Sequence, residues 1–377
     1  MKSILAKDKF ILFLISMLVT GGITFSQETT IMDPKGPGGY SITSFDRIGQ
    51  RAVGGYMDTE FIAPENELST FRAHRFILDV TSQVSDKVLV NSEIELEYGA
   101  NVANDGVIKI EQAWVDYEIN ESVSHRTGII VVPFGRVNVL HDSDVRDATQ
   151  RPLYAKYLIP TTWVDVGTGI HGNLSFADIE INYQGYFING FNDDISAETG
   201  FKSARPSLKT DNNGDKAFIG RLGISPILGL EIGGSVYNGK FYDGGTDGVL
   251  LLGTDFFYKV GQYEAIAEAA IARLDKNDSI PERMLGGYLE LRAHVLQKQL
   301  RNWIPSLTSP VITLFGRVGH VDTDRANEHI TNRLMVGFNF RPIESTVYKF
   351  EYQVEDYDKP SDDSSSGTFL ASVAVGF

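Results

Sequence analysis

The chain contains no cysteine, which excludes a disulfide scaffold, a thiolate metal centre and a cysteine nucleophile together. Positive charge is also in deficit. Against 49 Asp and Glu there are 34 Lys and Arg, a formal net charge of -15, so the basic footprint of a nucleic-acid-binding protein is missing. Beyond residue 26 no stretch approaches the roughly 18 consecutive apolar residues that a membrane-crossing helix requires. The seven histidines show no metal-ligand spacing, and no Gly-x-Ser-x-Gly elbow exists to present a nucleophile. No enzyme chemistry, metal or cofactor is therefore expected.

Residues 1–26 read as a cleavable export signal. Lys2, Lys7 and Lys9 form a positive start, 10–19 an apolar core, and Thr24, Phe25 and Ser26 a cleavage site that leaves Gln27 at the mature end. Its removal takes away three lysines and one aspartate and moves the charge from -15 to -17. Residues 27–50, with Pro34, Gly36, Pro37, Gly38 and Gly39, have no clear period and read as an irregular periplasmic or lumenal lead-in.

From residue 51 onward the pattern has a period of two. In the clearest segment Val88, Val90, Ile94, Leu96 and Tyr98 share one face, and Asn91, Glu93, Glu95 and Glu97 share the other. Side chains alternate across a strand, so one face of this segment can meet lipid while the three glutamates face water. The same test picks out 51–62, 70–83, 86–101, 106–120, 123–134, 164–175, 176–189, 216–225, 229–241, 248–260, 262–274, 284–298, 310–321, 329–341, 345–357 and 367–377. Sixteen such segments over 51–377 predict an all-β fold, a transmembrane antiparallel up-and-down β-barrel. Link lengths alternate as well, short turns facing the periplasm and long loops facing outward. The link 298–310 is too long for that rule. The longest link, 135–163, falls at the third external loop.

In the last segment Phe369, Ala371, Val373, Val375 and Phe377 lie on one face. A terminal aromatic on an amphipathic strand is similar to the signal read by the outer-membrane barrel-assembly machinery, which marks Phe377 as the candidate assembly signal.

Several motifs resemble the phosphate-selective porin O/P family. They are Glu111-Gln-Ala-Trp-Val-Asp-Tyr117, Val132-Pro-Phe-Gly135, Arg151-Pro152, Ile159-Pro-Thr-Thr-Trp163 running into Gly167-Thr-Gly-Ile-His-Gly172, then Val336-Gly-Phe-Asn-Phe-Arg-Pro342 and Tyr348-Lys-Phe-Glu-Tyr352. Together they span about two-thirds of the barrel in order. The resemblance implies a trimeric 16-stranded barrel in the outer membrane of a Gram-negative bacterium, surrounded by lipid and lipopolysaccharide, with the third external loop folded inward. The acidic chain departs from a phosphate channel, whose lumen is lined with arginines and lysines, so the resemblance carries the architecture and not the solute. The expected function is passive diffusion of small hydrophilic solutes or ions. A substrate-selective channel for phosphate, other anions or oligosaccharides is the alternative within the fold, and a non-conducting adhesion or scaffold barrel the alternative role.

Two groups of residues are candidates for the pore. The loop supplies Arg136, His141, Asp142, Asp144, Arg146, Asp147, Arg151 and Lys156, a density of mixed charge able to set a transverse field. Strand parity places Arg75, Arg221, Arg292, Arg317, Arg333 and Lys349 on the lumenal wall, because a cation facing lipid at mid-bilayer costs about 2–4 kcal/mol. Glu264, Glu268, Glu290 and Glu351 are their possible partners. The string Gly167 to Gly172 matches a dinucleotide fingerprint literally but lacks the following helix. Asp211, Asn213 and Asp215 have calcium-loop spacing, yet Lys216 and Leu222 stand where glycine and glutamate are required. Tyr98, Trp114, Tyr117, Tyr258, Tyr348 and Tyr352 are expected in the interfacial girdle, with Tyr237 and Tyr288 in the lumen.

Overall fold

The computed structural model describes residues 51–377 apart from 102, 104, 243–246, 276–279, 308 and 359–363. The export segment 1–26 and the lead-in 27–50 lie outside the described residues. Sixteen strands follow in order: β1 (Arg51–Pro64), β2 (Thr70–Ser85), β3 (Val88–Glu97), β4 (Val107–Asn120), β5 (Val123–Val131), β6 (Val164–Phe176), β7 (Ile179–Ile188), β8 (Ala217–Ile227), β9 (Leu230–Lys240), β10 (Gly248–Val260), β11 (Tyr263–Leu274), β12 (Arg283–Val295), β13 (Val311–Asp322), β14 (Ile330–Ile343), β15 (Thr346–Asp358) and β16 (Ser365–Gly376). Each pairs antiparallel with its neighbours in sequence, and β1 closes the ring on β16. At the seam Gly55 N donates to Phe377 O (3.1 Å) and Phe377 N to Gly55 O (2.9 Å). Closure leaves no strand edge unpaired, which is the condition for a sheet to sit in lipid.

Strand β15 shows why these sequences take this form. Val347, Lys349, Glu351 and Gln353 are buried inside the ring, while Tyr348, Phe350, Tyr352 and Val354 are exposed on its outside. An apolar band around a chain with a charged interior is the arrangement that a bilayer stabilises. Short turns such as 86–87, 121–122, 177–178, 228–229, 261–262 and 344–345 gather at one end, and the long links lie at the other. The exception is the link between β12 and β13, where the chain forms a short helix, α2 (Gln297–Trp303); α1 (Tyr154–Tyr157) lies in the longest link.

Three departures from strict alternation follow from the packing. The β1–β2 ladder slips at His74, since Asp58 pairs with Arg75 and Thr59 with Ala73. The β3–β4 ladder slips in the same way at Glu111. A bulge inserts one residue and re-aims its side chain, so His74 and Arg75, and likewise Glu111 and Gln112, both turn inward. The interior is also not uniformly ionic. Ile188, Ala217, Ile219, Tyr237, Leu251, Ala272 and Met284 on β7–β12 point inward and form one buried apolar cluster with Phe134, Leu153, Leu158 and Trp163 of the longest link. Apolar side chains therefore line part of the inner wall as well as the outer face, because a loop covers them there.

Candidate functional site: a loop clamped across the lumen

The link 132–163 between β5 and β6 reaches most of the barrel's inner wall. Its neck is tied first. Val132 N donates to Trp163 O (3.0 Å), and the buried Asn138 closes the neck further, donating from Nδ2 to Val132 O (2.8 Å) and Trp163 O (3.0 Å) and accepting Trp163 N at Oδ1 (2.9 Å). Strand β5 stops at Val131, earlier than the period suggested, because the backbone beyond it turns into this neck.

Two inward glutamates hold the loop body. Glu268 of β11 accepts Arg136 N (2.9 Å) and Val137 N (2.8 Å), one on each oxygen. Glu351 of β15 accepts Thr149 N (2.7 Å) and Gln150 N (2.9 Å) in the same way. The basic wall then takes the loop's carbonyls and its acid. Lys349 donates to Ser143 O (2.5 Å), Arg341 to Asp144 O (2.8 Å) and Val145 O (3.1 Å), Arg317 to Gln150 O (2.7 Å), and Arg333 to Arg151 O (2.8 Å). Arg292 meets the Asp147 carboxylate at 2.9 Å and Arg341 meets it at 3.3 Å. Burial alone would raise the Asp147 pKa, but these two guanidinium groups hold it below the usual carboxylate value. On the opposite wall His141 Nε2 lies 2.9 Å from Glu111 of β4. Contacts to β4 on one side and to β11–β15 on the other place the loop across the interior.

Sequence parity assigns the basic residues to the lumenal wall. It did not foresee what they face. Arg75, Arg221, Arg317, Arg333 and Lys349 are buried and engaged by the loop or by carboxylates. Arg317 also pairs with Glu290 through Nε (2.5 Å), and Glu290 pairs with Arg292 (2.5 Å). Arg221 binds Asp255 (2.5 Å) and Glu231 (2.7 Å), and Glu231 passes the chain on to Arg136 of the loop (3.0 Å). Glu93 and Glu95 are fully buried rather than water-facing. Glu95 pairs with Arg75 (2.8 Å) and Lys109 (2.7 Å), and Glu93 accepts Gln112 (2.6 Å), while Glu97, partly exposed, pairs with Arg75 (3.2 Å). A buried carboxylate is tolerated when its charge is paired and its oxygens are hydrogen-bonded.

Of the loop's own charges, Arg146 folds back onto the carbonyls of His141, Ala148 and Thr149, and Arg151 donates to Thr161 O (2.8 Å). Asp142 and Asp144 also have partners. Trp114 faces inward, not into the girdle, with the Arg126 guanidinium 3.7 Å above its ring and the Arg126–Asp116 pair closed by two 2.6 Å bonds. The glycine-rich string 167–172 lies within β6. A Cβ at Gly167, Gly169 or Gly172 would come within 2.4, 2.0 and 1.8 Å of backbone oxygens of Phe187, Gly185 and Ser122. Close strand approach, not nucleotide binding, accounts for those glycines.

Among the described residues, Asp58, Glu60 and His74 form a trio whose side chains could hold a metal ion, with the imidazole Nδ1 2.8 Å from Asp58 and 3.2 Å from Glu60. Sequence reasoning passed over this trio because only the bulge brings His74 inward. It also missed Asn138, for which no sequence signal exists. Arg341 was within reach, since it shares the parity of Arg333 on the same strand.

A closed 16-stranded antiparallel barrel with a charged interior crossed by its longest loop is the fold of outer-membrane porins and channels. The anion-selective porin of Comamonas acidovorans superimposes with a TM-score of 0.60 at 11% identity, over 87% of this chain and 100% of that one. The trimer form of OmpT, an outer membrane protein of Vibrio cholerae, gives 0.57 at 11% identity, over 88% and 100%. In sequence, the chain is 26% identical over 352 residues to an uncharacterized protein of Aquifex aeolicus (strain VF5), covering 83% of this chain and 77% of that one. No family model matches the chain, so the likeness to the phosphate-selective O/P porins rests on its motifs alone.

Proposed function

We propose that this protein is a porin of a Gram-negative outer membrane, a passive pore for small hydrophilic solutes or ions and not an enzyme. The observation that carries the reading is the loop 132–163, fixed across a closed barrel by wall residues of both signs. A barrel serving only as a scaffold has no need of a loop pinned at so many points inside its lumen. The loop sets the pore's diameter. Most of the wall cations are engaged with the loop or with carboxylates, so the solute meets the lumenal charges that keep some exposure, including Lys109, Glu97, Arg136, Glu231, Arg292 and His294. That mixed set favours small polar solutes with weak ionic preference over a dedicated phosphate site. A homotrimer is the assembly we expect, supported by the trimer form among the structural neighbours. Phe377, at the seam beside Phe76, is the residue we expect the assembly machinery to read.

Planar-bilayer recording of the purified protein tests the proposal. Stepwise openings in groups of three are expected, with a reversal potential in a salt gradient that reports weak selectivity. A silent bilayer would overturn the pore in favour of a scaffold. A strong anion preference would replace the general pore with the anion-selective reading favoured by the O/P motifs.

A further inference from the structure

The β12–β13 link is the one that breaks the short-turn pattern, and its composition differs from the rest of the chain. Between Glu290 and Asp322 there is no Asp or Glu, although the protein as a whole carries -15. Within it Leu300 and Trp303 sit one turn apart in α2, Leu296 and Ile304 cap its two ends, Leu307 follows just beyond, and Lys298 and Arg301 supply the helix's positive charge. Leu300 is buried, but Trp303 is 70% exposed, with Ile304 at 44% and Leu296 at 41%. Among the described residues, none covers a tryptophan that exposed or repays its contact with water. The adjoining strand β13 continues the apolar surface outward through Leu314 and Val318, both exposed.

We propose that α2 is an interfacial anchor, its Leu296, Trp303 and Ile304 side chains seated at the boundary of headgroups and acyl chains in the phospholipid leaflet at the short-turn end, with Lys298 and Arg301 meeting anionic headgroups. The inference rests on the barrel being in a membrane but not on its conducting anything. Two observations favour lipid as the occupant: the apolar stripe is continuous with the barrel's outer belt, and the link is cationic without a single acid. Amphipathic helices of this design lie in the plane of the interface, and tryptophan concentrates there. The anchor fixes the height and tilt of β12 and β13, whose inner faces carry Glu290, Arg292 and Arg317 against the loop.

The chain has three tryptophans, and Trp114 and Trp163 are buried inside the barrel, so Trp303 is the tryptophan that lipid can reach. The test places the full-length folded protein and its Trp303→Phe variant, one chain per nanodisc, in phospholipid brominated near the headgroup end of its acyl chains. Quenching of the wild type that is missing from the variant is expected. Adding anionic phospholipid is expected to shift the Trp303 emission to shorter wavelength, and Lys298→Glu with Arg301→Glu to abolish that shift. Equal bromine quenching in wild type and Trp303→Phe, with Trp303 open to aqueous acrylamide, would overturn the anchor. So would a Trp303 shielded from both quenchers, which would indicate coverage by protein. Conductance of the same preparations is a separate reading, so a silent barrel whose Trp303 is quenched by lipid removes the pore and keeps the anchor.

Discussion

Glu268 on β11 and Glu351 on β15 grip the crossing loop in the same way, each carboxylate spreading its two oxygens over two consecutive backbone amides. A carboxylate presents two acceptor oxygens and no donor when ionised. It can therefore satisfy a pair of adjacent N–H groups that the loop, lacking regular structure there, cannot satisfy itself.

Replacing either glutamate by glutamine keeps the shape and turns one acceptor into a donor facing an N–H. Each change is expected to cost about 1–3 kcal/mol of loop docking, the range for leaving a buried group unsatisfied. Hydrogen exchange is the measurement: amides of Thr149 and Gln150 should exchange faster in Glu351→Gln, and those of Arg136 and Val137 in Glu268→Gln, with the strand amides unchanged. The double variant should show larger and noisier conductance. Unchanged protection in both single variants would show that the loop is held by its other contacts, from the basic wall, the neck and Glu111, without the two glutamates.

The pair Arg317–Glu290 is a second point of leverage. Removing one partner of a buried ion pair costs about 3–5 kcal/mol, and because Glu290 keeps Arg292, Arg317→Met should fall near the lower end. Arg317 also holds Gln150 O, so the loop loses a contact while the lumen loses one positive charge and Glu290 is left with Arg292 alone. The expected result is lower resistance to urea together with a reversal potential moved toward cations; a shift toward anions would contradict the lumenal placement of Glu290.

The strands were legible because each residue reports its face with a period of two, and an apolar residue against lipid is hard to replace. All sixteen predicted segments correspond to observed strands, with ends shifted by a few residues, as where β5 gives way to the neck and where β3 ends in a 3-10 turn at Tyr98–Ala100. The wall cations were legible for the same reason. Their partners were not, because hydrogen bonds such as Lys349 to Ser143 O or Thr149 N to Glu351 join residues about 200 positions apart and leave no local pattern. The bulges at His74 and Glu111 were equally silent, since one inserted residue leaves the composition of its strand unchanged. The helix α2 occupies the link whose length had no explanation in the strand pattern.

Acidification offers a test with a defined sign. Asp147 has a folded pKa lowered by Arg292 and Arg341 despite its burial, so its contribution to docking is fully present above the unfolded value, near 3.9, and is lost as pH falls through the lower folded value. Below about pH 4 the wild-type loop should therefore loosen, seen as faster exchange of the amides at 143–151. Asp147→Asn should be loosened at neutral pH already and show less further change on acidification. An acid response of the same size in the variant would assign the effect to other carboxylates.

The neck gives the sharpest distinction between shape and bonding. Asn138 uses its amide as both donor and acceptor, joining Val132 O, Trp163 O and Trp163 N. Asn138→Ala removes all of these bonds and leaves polar backbone groups buried, at about 1–3 kcal/mol for each group left without a partner. Asn138→Asp keeps the size and the acceptor but sets an anion against two carbonyl oxygens. If bonding governs the neck, aspartate should be at least as damaging as alanine, in urea resistance and in the steadiness of the open current, even though it fills the space better. If filling space were what mattered, aspartate would restore the wild-type values, and the hydrogen bonds at the neck would carry no part of the loop's position.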